Sequence, residues 1–288
     1  MKKYILIIIC FVLAFTSVFA QEEKDKTPVS EPFASGYLID HQTSYIPDVK
    51  TLEFVIQHKF GNMTNGVSDL WGIYSPGANV RMGLNYVIRK NFQVGIGQTK
   101  KNMYTDFNAK WTIFEQTKSN SMPVAVTLFG SMAIDGRDDA AFGTSGAEIN
   151  DRFSYFSQII VGRKFTDWLS LQAAASFTHY NLVGPQSDHD KVGIHFDGRV
   201  KFSPQSSLIF NYDIPLKIKE ISEQIEWIDH PKPNLSVGIE IATYTHAFQI
   251  YVGTADGIIP QDVIMNNQND WTDKGLAIGF TITRLWMF

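Results

Sequence analysis

The sequence predicts an all-β protein: a single antiparallel, up-and-down transmembrane β-barrel of about twelve strands. Three observations predict it. From residue 51 to the C-terminus, bulky apolar residues alternate with small or polar ones. Short links alternate with long ones between these stretches. The first twenty residues read as an export signal.

Residues 1–20 are expected to be that signal peptide. Lys2 and Lys3 give a charged start, Tyr4 to Phe15 an apolar run, and Val18-Phe19-Ala20 a small-residue cleavage site before polar Gln21-Glu22-Glu23. A transmembrane anchor competes, but the run is shorter than the ~20 residues a helix needs. A lipoprotein anchor would use Cys10, which lies in the middle of the run. Cys10 is also the single cysteine, so the exported remainder has no disulfide framework and no cysteine-held metal. Past residue 20 no apolar run is long enough for a spanning helix, so a membrane location must come from strands.

Residues 21–50 are expected to be a flexible periplasmic segment. Glu22 to Lys26 are charged, and Pro28, Pro32 and Pro47 discourage regular structure. Phe33, Tyr37, Leu38 and Ile39 give it an apolar handle that could tuck against the mouth of a barrel.

Residues 51–288 form the expected barrel. Its apolar sets begin at Leu52, Val80, Phe92, Phe107, Val124, Phe153, Leu169, Val192, Leu208, Leu235, Phe248 and Leu276. Each run is close to the ~9–11 residues that a tilted strand needs to cross a bilayer. In the sixth run Phe156 and Ile160 blur the alternation. Links after even-numbered strands are short, such as 89–91 and 166–167. Those after odd-numbered strands are long, such as 61–77, 134–152 and 255–274; the link near Gln98 to Asn102 departs from the rule. Short turns at one end and long loops at the other is the outer-membrane arrangement, with both termini on the periplasmic side.

Alternation alone does not say which face is outside. Size does. One face carries Phe, Tyr, Trp, Leu, Ile and Val; the other carries Gly, Ser, Thr, Ala, Asn and Gln with scattered charges. A ring of twelve strands cannot enclose the bulky set but is well filled by the small one. The bulky face is therefore expected to meet lipid. Aromatics near strand ends (Phe60, Tyr86, Phe92, Phe153, Phe165, Phe202) suit interfacial girdles. Arg163 and Arg284 fall on the apolar face near strand ends, where they can snorkel. Glycines 83, 95, 97, 193, 198, 238 and 253 fall inside strands and read as packing and curvature devices.

The inward set supplies the candidate lumen residues: Glu53, Arg81, Asp106, Lys110, Lys164, Asp197, Arg199, Lys201, Asp213 and Glu240. They either pair across the lumen and rigidify a closed barrel, or line a narrow polar conduit. The chain ends on Trp286-Met287-Phe288, and Trp286 and Phe288 are expected to act as the terminal aromatic signal read by the outer-membrane assembly machinery.

Several stretches carry a family resemblance. They include Leu52-Glu53-Phe54-Val55-Ile56-Gln57-His58-Lys59-Phe60-Gly61, Asn79-Val80-Arg81-Met82-Gly83-Leu84-Asn85-Tyr86, Arg163-Lys164-Phe165 and His246-Ala247-Phe248-Gln249-Ile250. Over roughly residues 50–288 the chain resembles a family of bacterial membrane-bound β-barrels defined only as a domain of unknown function. The resemblance implies fold and location. It brings no activity, ligand or catalytic residue.

Catalytic patterns offer no stronger reading. An outer-membrane phospholipase needs a Ser–His pair with an orienting group; none of the seven His sits in an H-x-S pattern. His179 reads as a strand-end residue, Asp188-His189-Asp190 as a solvated turn, and Asp135, Asp138 and Asp139 as an acidic loop without calcium-loop spacing. With a net charge of −4 and no basic stripe, nucleic acid is not an expected partner. Outer-membrane lipid and lipopolysaccharide are. No cofactor or metal is expected. The expected function is a non-enzymatic outer-membrane protein of a Gram-negative bacterium, structural or a narrow, porin-like channel for small polar solutes. The alternatives are an outer-membrane lipid or peptide hydrolase with its site at the outer rim, and a soluble secreted barrel holding an apolar ligand.

Overall fold

Alternating side chains close twelve strands into a ring. The computed structural model describes residues 25–143, 146–185, 187–221, 230–273 and 275–288, so the expected signal segment lies outside the described residues. A small hairpin, β1 (Tyr37–Leu38) with β2 (His41–Gln42), comes first. The wall follows: β3 (Thr51–Asn62), β4 (Asn79–Arg89), β5 (Phe92–Thr99), β6 (Thr105–Phe114), β7 (Ala125–Ile134) and β8 (Phe153–Lys164). It continues with β9 (Leu169–Tyr180), β10 (Asp190–Lys201), β11 (Ser206–Leu216), β12 (Asn234–Ala242), β13 (His246–Gly253) and β14 (Ala277–Met287). Each strand pairs antiparallel with the next, and β14 returns to β3 through pairs such as Thr283 with Val55 and Met287 with Thr51. The ring itself has no open edge, as a lipid-embedded sheet requires.

The polarity of the wall is inverted relative to a soluble protein. On β4, Arg81 and Asn85 are buried, while Met82, Leu84, Tyr86 and Ile88 are exposed. The same holds for Asp197 against Phe196 on β10 and for Glu240 against Ile239 and Ile241 on β12. A water-filled exterior would penalise this arrangement at almost every position. Acyl chains outside and a polar packing inside satisfy both faces. Phe165, Trp168, Phe202 and Tyr244 are exposed in the short links, where a membrane interface would lie.

Tight connections gather at one end: residues 90–91, 165–168, 202–205 and 243–245. The β6–β7 link at the same end spans 115–124, longer than the sequence suggests, because the N-terminal segment lies along it. Pro28 bridges Thr117, Val29 N donates to Gln116 O at 2.8 Å, and Lys118 N donates to Thr27 O at 2.9 Å. The opposite end carries 63–78, 135–152, 181–189, 217–233 and 254–276, plus the short 100–104.

Two segments turn into the lumen. From the short-link end, residues 33–44 enter the barrel, and Phe33, Leu38 and Ile39 pack with Ile209 and Tyr251 of the wall. Within the segment 21–50, expected to be flexible, residues 33–44 are held in place by hydrogen bonds to the wall. The reason is backbone accounting: a polar lumen can satisfy the amides of a buried segment. Gly36 N donates to Glu53 at 2.9 Å, Ile39 N to Gln249 at 2.7 Å and Ser44 N to Gln172 at 3.1 Å. Gln249 and Thr281 donate back to the carbonyls of Tyr37 and Ile39.

From the long-loop end, the β13–β14 link folds inward and carries a seven-residue helix, α1 (Pro260–Asn266). Its Ile264 packs on Phe129, Phe156, Ile160 and Ala174. The inner wall of β7–β9 is therefore locally apolar, which explains the blurred alternation at Phe156 and Ile160.

Candidate functional site

Register decides which inward side chains meet. His195 of β10 lies directly across from Asp213 of β11, and Asp197 lies across from Asn211. Residues 195 and 197 share a face because strand side chains repeat every second position. The plug brings His41 against this face. His41 Nδ1 is 2.5 Å from Asp197 Oδ1, and His41 Nε2 is 2.7 Å from Asp213 Oδ1. His195 Nδ1 is 2.5 Å from the same Asp213 oxygen. Outer partners complete the cluster: Ser176 Oγ lies 2.7 Å from His195 Nε2, Gln172 donates to Asp197 Oδ2 at 2.9 Å, and Asn234 donates to Asp213 Oδ2 at 2.8 Å.

The other candidates form separate pairs. Arg81 donates to both oxygens of Asp106, at 2.8 and 2.7 Å. Arg199 Nε donates to Glu240 at 2.5 Å, and the second Glu240 oxygen accepts from Gln249 at 2.9 Å. Glu53 accepts from Gly36 N, Asn85 and Gln93. Lys110 reaches the Gly36 carbonyl at 3.3 Å. Lys164 and Lys201 sit at the short-link rim rather than deep in the lumen. Lys164 Nζ contacts Asp167 and the Ser30 carbonyl, each at 3.2 Å, and Lys201 borders a recess of about 420 Å³ with Arg199, Tyr45 and Tyr244.

Sequence reasoning missed Asp40, His41, Lys59, Ser176 and His195. Lys59 and His195 alternate inward like the chosen residues, so periodicity could have found them. Asp40 and His41 carried no such signal, because nothing local says that their segment enters the barrel.

Between the two inward segments lies a cavity of about 30 Å³, bordered by His41, His195, Asp213, Ile259 and Ile264 among others. That holds about one water molecule. Ser176, His195 and Asp213 stand in the hydrogen-bond order of a nucleophile, base and orienting acid. Ser176 is buried and does not border the cavity.

At the long-loop mouth, Lys101 pairs with Asp256 at 3.4 Å and Asp262 at 3.1 Å. Burial works against its ammonium, but Asp262 and Asp256 outweigh that and hold its pKa above the ordinary lysine value. Arg137 pairs with Asp135, and Arg152 with Asp139. His179 pairs with Asp190 at 2.6 Å, and His189 Nδ1 lies 2.6 Å from the Tyr180 carbonyl. On the outer face, Trp286 packs near Phe54 and beneath the Arg284 guanidinium, and Arg163 lies over Phe165. Phe288 is exposed beyond β14.

A closed antiparallel barrel with charges within and an apolar belt without defines a transmembrane β-barrel protein. The chain belongs to the family described as "Membrane bound beta barrel domain (DUF5777)", whose model matches residues 33–286. That match begins at Phe33, where the chain enters the lumen. No curated protein matches the chain. Solved structures of similar fold include the KdgM porin, at 7% identity over 83% of this chain and 99% of that one, with a TM-score of 0.48. The NanC porin is 7% identical over 82% and 99%, TM-score 0.49. The COG4313 outer membrane channel from Pseudomonas putida F1 is 12% identical over 84% and 97%, TM-score 0.49.

Proposed function

We propose that this protein is a non-enzymatic outer-membrane barrel whose polar lumen is stoppered by its own residues 33–44. Small polar solutes pass only when that segment leaves. The observation that carries the reading is the combination of a charge-lined interior with a plug bound by hydrogen bonds and ion pairs rather than by a continuous apolar core. Such contacts exchange readily for water, so a plugged polar lumen can open where a greasy one would not. Both chain ends described lie at the short-link end, which this reading places in the periplasm.

A hydrolase reading draws support from the order Ser176–His195–Asp213. Burial weighs against it, since Ser176 and His195 are both almost wholly enclosed. The barrel is also expected to need outer-membrane lipid, with lipopolysaccharide outside, and the assembly machinery for insertion through Trp286 and Phe288.

Planar-bilayer conductance of the refolded chain tests the proposal. The full chain should be silent or flicker, and deletion of residues 33–44 should give stable steps. Silence in both, with the deleted barrel still folded, would overturn the reading and leave the lumen closed by the β13–β14 loop.

A further inference from the structure

The geometry points to a divalent transition-metal site, of zinc type, formed by His41, His195 and Asp213, which clasps the plug to the barrel wall. Each of the three buried residues offers a ligand atom within 4.8 Å of the other two, and Asp213 Oδ1 lies 2.7 Å from His41 Nε2 and 2.5 Å from His195 Nδ1. Two imidazoles and a carboxylate suit Zn²⁺, which accepts nitrogen and oxygen in tetrahedral array.

What lifts the cluster above a chance meeting of histidines is the surroundings of each ligand. Metal-binding imidazoles hand their other ring N–H to an acceptor that fixes the tautomer. His41 has Asp197 on Nδ1 at 2.5 Å, and His195 has Ser176 on Nε2 at 2.7 Å. With the protons there, both remaining nitrogens present lone pairs towards Asp213. The free oxygen of Asp213 is held by Asn234 at 2.8 Å. All three ligands are thus oriented from behind.

Charge gives a second argument. With neutral imidazoles, Asp197 and Asp213 leave two buried negative charges. Three nearby ion pairs are matched among themselves: Asp40 with Lys59, Arg81 with Asp106, Arg199 with Glu240. A dication balances the pair without protonating either histidine.

Space gives a third. Ligand contacts of 2.5 and 2.7 Å must widen to roughly 3.3 Å around an ion with ~2.0–2.1 Å bonds. The 30 Å³ cavity bordering all three residues provides that movement and seats a water as fourth ligand. The site needs only the contact between plug and wall, so it stands or falls separately from conduction.

The test is to refold the chelator-washed full chain with ZnCl₂, remove excess by gel filtration and measure bound metal. About one Zn²⁺ per chain should be retained. His41→Ala and His195→Ala should lower retention to background, and His179→Ala at the rim should leave it unchanged. Asp197→Asn should keep the site but weaken it about 10–100-fold. Refolding with Co²⁺ should give visible absorption bands that vanish in His41→Ala. Because His41 lies outside the wall strands, its variant still closes the barrel, checked by the heat-dependent gel mobility of folded barrels. No retained metal in the wild type, or equal retention in folded His41→Ala, would overturn the proposal.

Discussion

Lys59 Nζ lies 2.5 Å from Asp40 Oδ2, and the same ammonium donates to the carbonyls of Ala255 at 2.8 Å and Gly257 at 2.7 Å. One lysine on β3 therefore ties together both segments that fill the lumen, the N-terminal plug and the β13–β14 loop. Lys59→Met should leave Asp40 buried without its partner. Breaking a buried pair from one side costs about 3–5 kcal/mol. The expected result is a lower denaturant midpoint and faster proteolysis within both residues 33–44 and 254–276. Loosening of only one segment would show that Lys59 does not couple them.

Gly36 sits where the plug meets Glu53. A Cβ there would fall 2.7 Å from Glu53 Oε2 and 2.9 Å from Oε1. Gly36→Val should unseat the plug while the wall strands keep their register. Thiol labelling at Ser35→Cys, slow in the parent, should become rapid in the double variant. Unchanged labelling would mean that the Glu53 carboxylate simply moves aside.

Leu84 and Ile239 are exposed on the outer face of the wall, and Ile194 alternates with buried Gly193 and His195. Fluorescent labels at these three positions should be quenched by lipid-borne probes and shielded from aqueous quenchers. An arginine at a midplane lipid-facing site costs about 2–4 kcal/mol, so Leu84→Arg should lower the unfolding midpoint in vesicles. Aqueous quenching at all three sites would contradict a lipid-facing wall.

The raised pKa of Lys101 fixes the sign of an alkaline response at the long-loop mouth. A group whose pKa rises on folding contributes its full stabilisation below its unfolded value, here 10.5, and loses it as pH passes the folded value. Protease access to residues 254–276 should therefore stay flat between about pH 7 and 10 and increase only above that range. Lys101→Ala should abolish the alkaline step.

Much of the wall was legible in the sequence because β-strand side chains repeat every two residues and the lipid inverts only which set faces out. Arg81 and Asn85 against Met82 and Leu84 could be read directly. Phe156 and Ile160 could not, because their partner Ile264 lies in a distant loop with no periodicity of its own. The His41 cluster was illegible for the same reason on a larger scale. Ser176, His195, Asp213 and Asn234 come from four successive strands, and only register shows them to be neighbours. Cross-strand chemistry leaves no local spacing, so the H-x-S pattern sought in the sequence was the wrong signature for Ser176 and His195. The strands of a barrel were visible, but the contents of its lumen were not.

The seam between β14 and β3 joins the last strand to the first, and the plug precedes the first strand by only a short tether. While that seam is unzipped, the nascent sheet is a curved trough, and residues 33–44 can be laid into it from the side. Once Met287 has met Thr51, the same residues can reach their seats only by threading lengthwise through an end. Closure of the final strand is thus the moment at which an occupied barrel is distinguished from an empty one.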